Sequence, residues 1–193
     1  MNSKRPASKQ PIPDNAKGVF KGKLFDVYQW EQKRFDGRKM TFEKLKRPDT
    51  VNIIPITVNG EIVISEQEQP GTDPFIGCLG GRLDEGEEPL VAAKRELLEE
   101  TGMQAQKYIL WDSIQLIDKI DWAIYTFVAK GCNKIQKQNI ESGEKIKLRY
   151  VSFDDFIKLS IQDNFRDAEV ALKIFRTIND PIKFREMREL FSK

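Results

Sequence analysis

Histidine is absent from the 193 residues. That removes the Ser-His-Asp and Cys-His triads, histidine zinc sites and any imidazole acid–base catalyst. Cysteine is scarce: Cys78 and Cys132 stand far apart and show no metal-type spacing. They fit a reducing cytosol, where thiols stay free. A chain of this length can build a core without disulfides. No run approaches the ~18 apolar residues of a membrane span, so no membrane association is expected. The polar opening MNSKRPASKQPIPDNAKG is not expected to act as a secretory signal, and the location expected is cytoplasmic. Charge of one sign is also lacking, since Lys plus Arg is 32 and Asp plus Glu is 30. That near balance counts against nucleic acid as a partner, because its binders usually carry a basic excess. Chemistry here must therefore run on carboxylates, Lys, Tyr, Cys, backbone or a bound metal.

What is present is ordinary for a globular domain, with 39% hydrophobic and 32% charged residues. Residues 1–17 are polar and contain Pro6, Pro11 and Pro13, which suggests a flexible tail. Residues 18–47 alternate apolar and polar side chains around Asp36-Gly37, a hairpin signal. A second, more apolar hairpin is expected over 50–65, turning at Asn59-Gly60, and 75–81 is short and β-like. The clearest helix is 89–101, with Pro89 at its start, Gly102 as its stop and an apolar stripe of Leu90, Ala93 and Leu97. Strands are expected at 105–117, 122–129 and 145–151, and a polar, loop-like stretch between the last two. Trp111 and Trp122 are expected in the sheet core. Ser152 and Asp167 can each cap a helix, and Asp180-Pro181 opens a last, amphipathic one that closes the domain. Mixed strands and helices imply an α/β (α+β) layered sandwich.

Residues 81–103 read GRLDEGEEPLVAAKRELLEETGM. Glu96, Glu99 and Glu100 share one helical face at i, i+3 and i+4, where like charges repel. They also crowd a helix C-terminus, which prefers cations. A divalent cation relieves both costs, and an all-oxygen donor set favours a hard ion, Mg²⁺ or Mn²⁺. Taken alone, the cluster reads more readily as a solvated acidic face, as on many surface helices. The whole spacing narrows the choice. Gly81, five residues, Glu87, seven residues, Arg95-Glu96-Leu97, one residue, Glu99-Glu100, one residue, Gly102 and Met103 match the Nudix box at every position. The chain resembles the Nudix hydrolase superfamily.

That resemblance implies an α/β/α sandwich with a mixed sheet and hydrolysis of a nucleoside diphosphate linked to another moiety. It implies that Glu96, Glu99 and Glu100 bind Mg²⁺ or Mn²⁺, with the Gly80 carbonyl completing the coordination. Glu87 and Arg95 brace the loop and the carboxylates. The order of segments over roughly 18–178 is most similar to the ADP-ribose and nucleoside-diphosphate-sugar pyrophosphatases. In that branch an N-terminal hairpin, here 18–47, packs across a homodimer ahead of the hydrolase domain, here 48–193. Glu144 stands where the branch places a glutamate that binds metal or acts as base, with Glu141 upstream. The catalytic candidates are thus Glu99, Glu144, Glu141 and Arg95. The substrate candidates are Tyr28 and Trp30, which could stack a base or simply pack the hairpin, together with Gln69 and Arg82. Gln69 stands where the branch usually has an arginine, and SIQLIDK replaces a stretch that often holds a proline. Both departures weaken ADP-ribose specificity and leave the reaction class untouched. The loop bearing Glu141 and Glu144 is expected to be mobile and to close over substrate. Alternatives within the resemblance are a house-cleaning hydrolase of nucleoside triphosphates or dinucleoside polyphosphates, and a non-catalytic nucleotide sensor. Sensors usually lose box glutamates, and this chain keeps all of them.

Overall fold

The computed structural model describes residues 4–140 and 145–193. Three N-terminal strands come first: β1 (Lys17–Lys21), β2 (Asp26–Lys33) and β3 (Lys39–Lys46). β4 (Thr50–Thr57), β5 (Ile62–Glu68) and β6 (Phe75–Gly77) precede the helix α1 (Pro89–Thr101). β7 (Met103–Gln104), β8 (Lys107–Ile114), β9 (Ile120–Asp121), β10 (Ile124–Lys134) and β11 (Lys145–Val151) follow. The helices α2 (Phe153–Ser160), α3 (Ala168–Ile178) and α4 (Pro181–Leu190) end the chain.

The main sheet runs β11-β5-β4-β10-β7, with β6 on β5 and β8 on β10. Its centre is the parallel pair β4–β10, in register from Ile124↔Thr50 onward, and its other pairs are antiparallel. Alternation along β4 and β10 divides the core in two. Val51, Ile53, Tyr125, Phe127 and Ala129 face Ala93 and Leu97 of α1. Ile54, Ile56 and Val128 face Phe156, Val170, Ile174 and Met187 of the last three helices, with Phe191 just past α4. Both faces of the central strands are therefore covered, which explains their nearly unbroken apolar runs. The result is an α/β/α sandwich with a second, four-stranded sheet in the order β1-β2-β3-β9.

Several expectations change in detail. The N-terminal unit has three strands rather than two, and β9 ties it to the domain through Leu45↔Ile120. The N-terminal segment forms no regular element from residue 4 to 16, yet Arg5 bridges Asp49 (2.7 Å) and Asp121 (3.0 Å). The stretch expected as a loop after 129 begins as strand: β10 bulges against β4 at Gly131 and continues to Lys134, where it pairs with β7. Gly131 has a φ of 67°, a conformation open to glycine, and this lets the strand bend with Cys132 buried. Asp167 precedes α3 but makes no capping bond; its carboxylate accepts from the Cys78 N–H at 2.6 Å instead. Ser152 and Asp180 do cap α2 and α4. Trp122 is half-buried rather than in the core. Its Nε1 donates to Thr50 Oγ1 at 3.0 Å, and the Arg47 guanidinium lies over its ring. Trp111 meets Phe191 edge-on at 5.3 Å.

Candidate active site

A cavity of about 930 Å³ opens at the C-terminal half of α1. Its lining includes Gly80, Gly81, Arg82, Arg95, Glu96, Glu99, Glu100 and Gln69, so the structure brings most of the expected site residues together. Tyr28 and Trp30 do not line it. Tyr28 faces a separate hollow with Arg5 and Ile12, and buried Trp30 packs near Phe42 and donates to Gln32. Glu141 and Glu144 lie outside the described residues. Their neighbours Asn139 and Ile140 line the cavity.

The geometry follows from local chain requirements. Gly80 has a φ of 138°, and a Cβ there would run into the Val51 carbonyl. A Cβ on Gly81 would run into the Glu96 carboxylate. Glycine at both positions lets residues 79–83 lie flat between β4 and α1. The Gly80 N–H then donates to Glu100 Oε2 at 2.7 Å. At the helix end, Gly102 adopts a φ of 70° and donates to the Leu98 carbonyl at 2.8 Å. The carbonyls of Glu99 and Glu100, which have no partners within the helix, accept from Asn139 N–H (2.8 Å) and Gln138 Nε2 (2.6 Å). The segment leading to Glu141 is thereby tied to the metal-candidate end of α1.

Arg95 is the electrostatic centre. Its Nε and Nη2 form a fork onto Glu87 at 3.1 and 2.9 Å, and Nη1 reaches Glu96 at 2.8 Å and Glu99 at 3.2 Å. Nη2 also donates to the Arg82 carbonyl at 3.0 Å. The Arg95 fork holds the Glu87 carboxyl below its ordinary pKa. Burial pushes Glu96 up, and Arg95 only partly offsets that. Among the described residues, no three acidic or thiol side chains already converge into a ligand cage. Arg95 takes up the charge of Glu96 and Glu99 instead. The donor set nonetheless fits a hard divalent ion. Three carboxylates and the Gly80 peptide share one cavity without imidazole or thiolate, and Glu96 is a half-buried carboxylate that a cation would relieve.

Sequence reasoning missed two cationic walls of the cavity. Arg47 lines it with a buried Nε that has no hydrogen-bond partner, its guanidinium 4.4 Å from the Trp122 ring centre. Arg166 lines it from the turn before α3. Only the tertiary fold brings either to the box, and no spacing rule would have singled them out. Leu24 adds a contact from the N-terminal unit.

This sandwich and this glutamate-bearing loop–helix define an enzyme of the Nudix pyrophosphohydrolase class. The NUDIX domain profile matches residues 46–173, and the chain belongs to that family. It is 28% identical over 162 residues to an ADP-ribose pyrophosphatase of Bacillus subtilis (strain 168), covering 81% of this chain and 86% of that protein. It is 26% identical over 161 residues to a methanol dehydrogenase activator of Bacillus methanolicus, with the same two coverages. Among solved structures it resembles one described as an ADP compounds hydrolase, with a TM-score of 0.69 at 22% identity. That match covers 89% of this chain and 95% of the other.

Proposed function

We propose that the protein hydrolyses the pyrophosphate bond of a nucleoside diphosphate linked to a second moiety, with ADP-ribose or a nucleotide sugar as substrate. The observation that carries this reading is one cavity with a carboxylate-rich floor, Glu96, Glu99 and Glu100, and arginines on its walls, Arg47, Arg82 and Arg166. The arginines suit a phosphate-bearing substrate, and the floor suits the cation that accompanies it. The relatives' printed activities, on ADP-ribose and ADP compounds, agree with that chemistry.

Mg²⁺ or Mn²⁺ would be held by Glu96, Glu99, Glu100 and the Gly80 carbonyl. When bound, such an ion neutralises phosphate charge and lowers the pKa of a water. The chain's own residues do the rest. Arg95, clamped by Glu87, keeps Glu96 and Glu99 in place. Glu144, delivered by the segment after Ile140, serves as metal ligand or takes the proton of the attacking water, with Glu141 and Glu99 as the other candidates for base. Gln69 and Arg82 contact the substrate. Cytoplasmic location belongs to the same reading, with Cys78 and Cys132 both free and buried. No helix among the described residues is long and apolar enough to cross a membrane.

A phosphate-release assay over ADP-ribose, sugar nucleotides, dinucleoside polyphosphates and nucleoside triphosphates tests the reading. Activity is expected on the first two groups, lost with chelator and restored by Mg²⁺ or Mn²⁺. Glu100→Gln should nearly abolish turnover while the protein stays folded, because relief of like-charge repulsion offsets lost contacts. Glu144→Gln should lower kcat by about 10²–10⁴-fold with KM little changed. If Glu141→Gln does so instead, the base is reassigned; if neither loses tenfold, the base lies in the box, at Glu99 or Glu96. Full activity in chelator overturns the metal assignment.

A further inference from the structure

Arg166 stands in the turn between α2 and α3, and that turn is fixed to the chain that builds the floor of the site. The Ile76 N–H donates to the Asn164 carbonyl at 3.0 Å, and the Arg166 N–H donates to the Ile76 carbonyl at 2.9 Å. The Cys78 N–H donates to Asp167. Gly77 leaves room for this contact, since a Cβ there would meet Asp167 Oδ2 at 2.7 Å. Residues 164–167 therefore ride on residues 75–78, which continue into Gly80 and Gly81.

The exposed side chain is supported too. Its guanidinium carbon is 4.3 Å from the centre of the Phe75 ring, and Nη1 is 3.3 Å from Gln69 Oε1. No ion pair engages it among the described residues, in contrast to Arg95. A guanidinium carries five N–H donors in a planar fork. Gln69 takes one, and Phe75 covers a face while leaving the edge free. That edge borders the cavity. A supported, unpaired fork of donors is suited to the oxygens of a phosphate.

Following the chain from Phe75 to Arg82, Arg166 and Gln69 come first. The contacts of Gly80 with Glu100 and of Gly81 with Glu96 come next, and Arg82 with Arg47 last. Cations thus stand on both sides of the carboxylates. A diphosphate lying across Gly80 and Gly81 has one phosphate directed to each side.

We propose that Arg166 is a substrate-binding residue that grips a non-bridging oxygen of the diphosphate on the Gln69 side, with Phe75 and Gln69 holding its guanidinium ready. This rests on the pyrophosphohydrolase reading above. The test is steady-state kinetics of Arg166→Ala and Arg166→Lys on the best substrate of wild type, with magnesium pyrophosphate titrated into each protein by calorimetry. Arg166→Ala should raise KM at least about tenfold, with kcat falling by much less, and should weaken pyrophosphate binding to a similar degree. Arg166→Lys should restore part of both, because it returns the charge without the fork. An unchanged KM and unchanged pyrophosphate affinity in Arg166→Ala overturn the assignment. So does a fall confined to kcat, or a loss that Arg166→Lys does not ease. If wild type binds pyrophosphate and loses it in Arg166→Ala, yet hydrolyses none of the compounds, the functional reading fails and Arg166 stands as an anion site.

Discussion

Asp167 sits at the junction between the turn that carries Arg166 and the strand that leads to the glutamates. Burial, and secondarily the charge of Glu169, raise its carboxyl to about 7, while the bond from the Cys78 N–H pulls the other way. In the unfolded chain the same group titrates near 3.9. Between those values the folded state holds a proton that the unfolded state has released, so stability falls as pH rises through that window and levels off above it. Glu169, half-buried and bonded to Asn52, and Glu96 are shifted up by burial and slope the same way. The protein is therefore expected to unfold at lower urea concentration at about pH 8 than at about pH 6. Asp167→Asn keeps an oxygen for the Cys78 N–H and removes the charge. It should flatten much of that slope and be no less stable than wild type at the higher pH. An unchanged slope in the variant means the carboxylate is not the titrating group.

At the scale of elements, α1 shows what a sequence can and cannot disclose. Pro89 and Gly102 bracket the helix in the structure as their chemistry dictates, and the apolar stripe of Ala93 and Leu97 meets the sheet. The turns at Gly37 and Gly60, the buried hairpin β4–β5, the cap Ser152 and the helix start at Asp180-Pro181 were legible for the same reason: each depends on a few consecutive residues. The site was legible where it lies on one helix and its entry loop. It was not legible where chemistry depends on remote chain. Arg47, held against the Trp122 ring, and Arg166 reach the cavity through β-pairing and through a turn far along the chain from the box, and no periodicity encodes that. Asp167 was misread as a cap because Asp before a helix usually is one; the Cys78 N–H competed for its carboxylate and won. The helix end also supports a prediction. A Cβ at Gly102 would meet the Gln136 carbonyl, and the φ of 70° disfavours any side chain. Gly102→Ala should cost about 1–3 kcal/mol in chemical denaturation. It should also lower activity, because residues 135–139 dock on this helix end and lead to the segment of Glu144. Denaturation indistinguishable from wild type would show that this end is not strained.

At the scale of the whole molecule, the outer strand and the turn of the N-terminal sheet are left uncovered. Every residue of β1 is exposed, and Val19, Phe20, Phe35 and Met40 all present large apolar surface from this sheet or its turn. Among the described residues β1 pairs only with β2, which leaves its outer edge open to pairing. An open apolar edge is a hazard for a lone protein and an asset for an assembly. We expect a homodimer in which this sheet packs against its counterpart. The inner side of the same unit touches the candidate site, since Leu24, just beyond β1, lines the cavity. Assembly and substrate binding should therefore be coupled. Sedimentation of wild type at micromolar concentration should give a dimer, whereas Phe20→Lys combined with Val19→Lys should give a folded monomer. A buried area above about 1,000 Å² is the minimum for such a contact, and two lysines on the edge strand suffice to oppose it. Neither Tyr28 nor Trp30 lines the cavity that holds the box glutamates of its own chain, so if they take part in binding a base, as the resemblance to the ADP-ribose branch implies, they do so at the cavity of the second copy. The monomeric variant should then show a raised KM with kcat less affected. A wild-type monomer with full activity removes the dimer from the mechanism. A monomeric variant with an unaltered KM would leave the dimer intact as an assembly but confine substrate binding to residues of a single chain.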